Sequence, residues 1–203
     1  MRHLITPSLL NSWKYICESR RILAASRGDW DGLEERMDAA EERAMADFRK
    51  ALSREKEAPT PAMMRGMEYE DATYRGETDC SPIVEGGAFQ IVGTRKATVT
   101  GEDYLLYGRL DCLKGGMVYD IKRVSHYETG KYKWSAQHGF YLTLFPEAMG
   151  FEYLAFDGKR LHRERYWRDE CRPTEAEIAE FAAWLKLNGL WAEYEEKWKS
   201  RED

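Results

Sequence analysis

The chain has 203 residues, enough for one domain with a substantial core and few for two. Hydrophobic residues make up 43% and charged residues 33%, and no apolar run reaches the length of a membrane span, so a globular cytoplasmic chain is expected rather than a membrane protein. The net charge of −5 argues against a protein that coats nucleic acid by charge alone, but it leaves room for a local basic groove.

Taken in order, the opening Met1-Arg-His-Leu-Ile-Thr-Pro has no apolar stretch of the kind a signal peptide carries. Thr6-Pro7 reads as a helix start, with Leu9, Leu10, Trp13 and Ile16 on its apolar face and an end near Glu18. A charged helix at about 29–57 follows, with Leu33, Met37, Ala40, Ala44, Phe48 and Leu52 as its stripe. Pro59 and Pro61 interrupt it, and a further helix is expected from Ala62 to about Tyr74. From Gly86 the period changes to that of strands: residues 88–92 followed by 97–100, then 104–113, then 117–124 read as an antiparallel meander of three strands turning at Lys114-Gly-Gly116. A helix from about Lys131 to Phe145 and a strand at Phe151–Phe156 come next, then a basic strand or loop to Arg172. Thr174-Glu-Ala-Glu177 has the spacing of a capping box, opening a C-terminal helical tail at about 174–200. The tail's Trp184, Trp191 and Trp198 form a stripe suited to core or interface. The order of elements predicts one α/β (α+β) domain, with a mixed central sheet of about four or five strands flanked by helices.

Chemistry concentrates in the middle of the chain. Asp120 and Lys122 alternate onto one face of a strand. If the Gly115-Gly116 turn is tight, Asp111 lies nearly opposite Asp120, on a face set by a one-residue register. Two such carboxylates repel unless one is protonated or a divalent cation joins them, and Mg²⁺ suits few protein oxygens supplemented by water and phosphate. Lys122 reaches the same point, where an ammonium can position a water or offset charge on a phosphate. Gln137 and Tyr141 are one helical turn apart. Lys131 and Lys133 fall at the expected start of that helix, where the dipole favours phosphate. Arg109 and Arg123 are the other candidate substrate contacts. Glu70 is the expected third acidic residue, with Glu68 in reserve; Gly66, four residues earlier, would let the helix approach the sheet. An Asp-x-Lys triplet alone is common on surfaces, and only the ordered set is informative.

The set resembles the PD-(D/E)XK nuclease superfamily, and within it the RecB-like branch. The matching pieces are Gly66…Glu70, Gly108-Arg-Leu-Asp111, Asp120-Ile-Lys122 and Gln137-His-Gly-Phe-Tyr141, together with the opening helix Thr6-Pro-Ser-Leu-Leu-Asn-Ser-Trp…Cys17. The resemblance implies a restriction-endonuclease-like core with Mg²⁺ or Mn²⁺ held by Glu70, Asp111, Asp120 and the Ile121 backbone carbonyl. It implies that Lys122 serves the nucleophilic water, and that Gln137 and Tyr141 support the site and the DNA. Stand-alone members of this size are similar to phage recombination exonucleases, which resect duplex ends for a single-strand annealing partner. Some relatives carry a four-cysteine iron–sulfur cluster with three cysteines near the C-terminus. Here Cys17, Cys80, Cys112 and Cys171 are far apart and only Cys171 lies there, so free thiols and no cluster are expected. An endonuclease that nicks or cuts branched DNA has the same metal chemistry. A nuclease fold kept only to bind DNA or protein usually loses a ligand or the lysine, and none is missing here.

Overall fold

The computed structural model describes residues 2–25, 33–56 and 58–200. The elements are β1 (Arg2–Ile5), α1 (Pro7–Ala25), α2 (Leu33–Ser53), α3 (Pro61–Tyr74), α4 (Ser81–Val84), β2 (Ala88–Phe89), β3 (Val92–Val99), β4 (Glu102–Arg109), β5 (Cys112–Lys114), β6 (Met117–Arg123), α5 (Gln137–Leu144), β7 (Gly150–Phe156), β8 (Leu161–Trp167), α6 (Thr174–Leu187) and α7 (Trp191–Lys197). They form a mixed α/β architecture in which helices flank a three-stranded sheet, ordered β1-β4-β3, and a five-stranded sheet, ordered β2-β5-β6-β7-β8. No described helix is long and apolar enough to cross a membrane.

β6 is the hinge of the architecture. It pairs antiparallel with β5 across the Gly115-Gly116 turn, both glycines having the positive φ that such a turn requires. It then pairs parallel with β7, and α5 lies in the crossover between them. Met117 to Ile121 are buried without a break because both faces of the strand are covered. Val118 packs into the larger core, with Phe140 and Tyr141 of α5, Phe151 and Tyr153 of β7, and residues of α1 and α6. Met117, Tyr119 and Ile121 face a smaller core with Cys80, Val84, Cys112 and Leu154, closed over by Tyr69 and Tyr74 of α3. The chain changes sheets at Gln90-Ile91, between β2 and β3, and back at Leu110-Asp111, between the end of β4 and the start of β5.

Local chemistry explains where the helices begin. The Leu9 N–H donates to Thr6 Oγ1 at 3.3 Å, and the Met63 N–H to Thr60 Oγ1 at 3.2 Å, each just ahead of a proline-led first turn. α1 runs on to Ala25, past the expected end near Glu18. α2 matches the interior of the charged helix expected at about 29–57, and residues 29–32 and 57 lie outside the described ones.

Several expectations need correction. β1 was not expected; it is a four-residue strand whose partner, β4, lies about a hundred residues away. The strands from 88 to 123 are not one meander, because β3 and β4 belong to one sheet and β2, β5 and β6 to the other. The basic segment after Gly158 is a regular strand, β8. α6 begins at Thr174 without its capping box: Thr174 Oγ1 bonds Thr143 Oγ1 at 2.9 Å, and Glu177 is drawn 3.0 Å from Lys14 Nζ. α5 begins at Gln137, six residues after the expected Lys131. Asn11 of α1 fixes that start, its Oδ1 accepting from the Ala136 N–H at 2.7 Å. The residues before it are held in turns, with the Tyr132 N–H donating to Glu164 Oε1 at 3.1 Å. Lys131 and Lys133 are therefore not in the first turn of a helix. Trp198 is buried, and Trp184 and Trp191 are half-buried and pack on the larger core, so the tryptophan stripe is core.

Candidate active site

The register of β5 and β6 settles the relation between the two aspartates. Cys112 is paired with Tyr119, so the next position outward sets Asp111 opposite Asp120. There β5 has not yet begun, and the Ile121 N–H, without a strand partner on that side, donates instead to Asp111 Oδ2 at 2.8 Å. Within an extended residue the N–H and C=O point to the same side, so the Ile121 carbonyl shares the edge that faces Asp111.

Asp120 is 5% exposed. Its Oδ1 accepts from Lys122 Nζ at 2.9 Å and, at a long 3.4 Å, from Gln137 Nε2. Lys122 Nζ is also 2.8 Å from Oδ2, but not in hydrogen-bonding geometry, so this buried oxygen has no hydrogen-bond partner. Burial pushes Asp120 above the ordinary carboxylate range, against the pull of Lys122. Asp111 is pushed up to about 8, by burial first and then by Asp120. For Lys122, burial opposes the charged form, but Asp120 and Asp111 together outweigh it and hold the ammonium above its usual range. The site therefore has one firm cation and two carboxylates that resist ionising together.

Glu70 lies on α3, on the far side of β6 from α5, near enough for its charge to raise both aspartates. Its Oε1 accepts from Tyr74 Oη at 2.5 Å and Gln90 Nε2 at 2.5 Å. Glu68 is exposed. Gly66 plays no part in the approach, since a Cβ there would meet nothing within 4 Å. Gly108 has the role expected of Gly66: a Cβ would lie 2.9 Å from the Tyr141 ring, so only glycine lets α5 settle on β4. Tyr141 Oη donates to the Arg109 carbonyl at 2.8 Å, which ties α5 to the turn that carries Asp111.

The cationic candidates divide. Arg109 is exposed beside that turn. Arg123 alternates onto the face opposite Lys122, where it donates to the Val124 carbonyl at 2.6 Å and covers the Phe156 ring, so it does not join the aspartates. Lys131 and Lys133 are exposed in the turns before α5. Residues that sequence reasoning missed are Tyr74 and Gln90, which hold Glu70. The i, i+4 spacing of Glu70 and Tyr74 was an available signal. Gln90 gave none: its side chain is aimed by a backbone φ of 54°, and its N–H donates to the Asp111 carbonyl at 3.0 Å.

Among the described residues, no three His, Cys, Asp or Glu side chains meet as a ready-made metal-binding group. The aspartate pair by itself fits a hard divalent cation: two under-neutralised carboxylates, one of them with a buried oxygen that lacks a hydrogen bond, beside a main-chain carbonyl. Mg²⁺ is commonly held by one or two carboxylates, with water and phosphate completing its shell. No disulfide joins the four cysteines: Cys80 and Cys112 are buried in the smaller core, Cys171 is half-buried and Cys17 exposed.

No family model matches the chain. No curated protein matches it significantly. Among solved structures, the crystal structure of SSO0001 is similar, with a TM-score of 0.56 at 15% identity over 93% of this chain and 77% of that one. At that identity the likeness concerns the fold, a mixed α/β core flanked by helices.

Proposed function

We propose that the protein is a Mg²⁺- or Mn²⁺-dependent deoxyribonuclease of the PD-(D/E)XK kind, acting as an exonuclease on DNA ends in cytoplasmic recombination or repair. The observation that carries this reading is the under-neutralised Asp111–Asp120 pair, with Lys122 bound to one of its members. Asp111, Asp120 and the Ile121 carbonyl would hold the cation, with Glu70 alongside. When bound, the ion polarises the phosphodiester and lowers the pKa of a water. Lys122 supplies a permanent positive charge where negative charge builds on the phosphate. Gln137 steadies Asp120, and Tyr141 steadies the turn of Asp111, with Arg109 exposed beside it for the DNA backbone. A product strand left single would suit a single-strand annealing protein as partner.

A second reading, a nuclease fold that binds DNA without cutting it, draws on one observation: Glu70 Oε1 is already engaged by Tyr74 and Gln90. Cleavage of end-labelled linear DNA and covalently closed circular DNA, each with Mg²⁺, Mn²⁺ or chelator, separates the readings. Metal-dependent loss of the linear form alone is expected. Cutting of the circle as well makes it an endonuclease, and retention of both forms in every metal favours the binding module.

A further inference from the structure

Beside the carboxylate pair, between α1 and the turns ahead of α5, lies a cavity of about 160 Å³ whose walls include Asn11, Tyr15, Lys131, Tyr132, Trp134 and Gln137. Pockets for drug-sized ligands span about 300–1,000 Å³, so this one suits a single flat ring system. Its walls are of the right kind. Tyr15 and Trp134 are 64% and 44% exposed, unusual for large aromatic side chains. Tyr132 is a fixed platform, stacked on Tyr153 with ring centroids 4.1 Å apart. Its hydroxyl is buried and makes no hydrogen bond, so the ring rather than the hydroxyl is what it offers a ligand. Lys131 Nζ donates to the His126 carbonyl, a bond that leaves its positive charge un-neutralised at the rim. Gln137 joins the cavity to the site, since it lines the first and reaches Asp120 in the second.

We infer that this cavity receives one unstacked nucleobase of the strand whose phosphate lies at Asp111 and Asp120. The inference rests on the nuclease reading and deepens it by naming the substrate. A base within a duplex is sandwiched between its neighbours and cannot enter such a pocket, whereas a base of a single-stranded or frayed end can. Aromatic faces accept any base, so the pocket selects for strandedness rather than sequence. Lys131 attracts the adjoining backbone.

The test is equilibrium binding, in chelator so that nothing is cut, of a fluorescent single-stranded oligonucleotide and a blunt duplex of the same sequence. Wild type is expected to prefer the single strand. Tyr15→Ala and Trp134→Ala should each weaken single-strand binding by about fivefold to a hundredfold, the range that loss of a base–aromatic stack gives, while Tyr15→Phe retains it. Duplex binding should be unchanged in all three variants. Wild-type single-strand affinity in both alanine variants overturns the pocket and leaves the nuclease reading standing. No binding of either DNA by wild type also overturns the pocket, and the metal-dependent cleavage assay then decides the nuclease reading separately.

Discussion

Two neighbouring strands each bury an acidic side chain and treat it in opposite ways. Glu152 on β7 is 1% exposed and meets Arg163 Nε at 2.7 Å, Arg163 Nη2 at 3.0 Å and Arg165 Nη2 at 3.1 Å, all from β8. Burial alone would raise it, but the two guanidinium groups win and its carboxyl sits below the usual range. Asp120 on β6 is about as deeply buried, has one lysine and one oxygen without a hydrogen bond, faces a second carboxylate, and is raised. A carboxylate kept for structure is fully neutralised by its own chain. One left short of positive charge in the same sheet is poised to take it from outside, as a proton or a metal ion.

That contrast can be broken by substitution. The largest expected effect is on Asp120→Ala, which should reduce metal-dependent cleavage by about a thousandfold or more with the fold retained, read by cleavage rate and circular dichroism. Glu152→Gln should do the reverse, keeping activity while losing about 1–3 kcal/mol of stability, or a Tm lower by roughly 2–10 °C. If both substitutions impair only stability, the two carboxylates do not differ in kind. Lys122→Ala should lower the cleavage rate by about a hundredfold or more and DNA affinity far less. Equal losses in both would make Lys122 a binding residue. Gln90→Ala, which removes one of the two donors that hold Glu70, should cost about tenfold in activity or metal affinity, the usual effect of removing a group that orients a ligand. An unchanged rate would return Gln90 to a purely structural role.

A smaller effect tests the repulsion itself. Asp111 is raised from 3.8 to about 8 in the folded protein, so the native state holds a proton that the unfolded chain releases. Stability of the metal-free protein should therefore fall as pH rises from about 4 to about 8, where the folded state binds more protons than the unfolded one. Asp111→Asn keeps an oxygen for the Ile121 N–H and removes the charge, so it should flatten that slope and raise Tm at pH 8. A variant as pH-sensitive as wild type would place the repulsion elsewhere.

The parts of the site that could be read in the sequence are those that strand and helix periods fix locally. Asp120 and Lys122 share a face by alternation, Gln137 and Tyr141 by the helical turn, and Gly115-Gly116 sets Asp111 against Asp120. What tertiary partners decide was not legible. Asn11, 125 residues away, begins α5 at Gln137 and so removes Lys131 and Lys133 from a helix N-terminus. Lys14 and Thr143 take the two residues of the apparent capping box at Thr174 and Glu177. Gly66 and Gly108 look alike in sequence, and only packing shows that the second is the one without room for a side chain. The split into two sheets turns on two short crossings, Gln90-Ile91 and Leu110-Asp111, and on a parallel partner, β1, supplied by residues 2–5.

The most direct test of the central claim is a Mn²⁺ titration of the protein at pH 8, followed by Tm, in wild type beside Asp111→Asn and Asp120→Asn. An ion that binds only the folded state stabilises it in proportion to RT ln(1 + [L]/Kd). Wild type should therefore gain Tm continuously as Mn²⁺ rises, and the two variants should gain little. A wild-type Tm indifferent to Mn²⁺, or variants that respond as wild type does, would contradict the assignment of Asp111 and Asp120 as the seat of the metal.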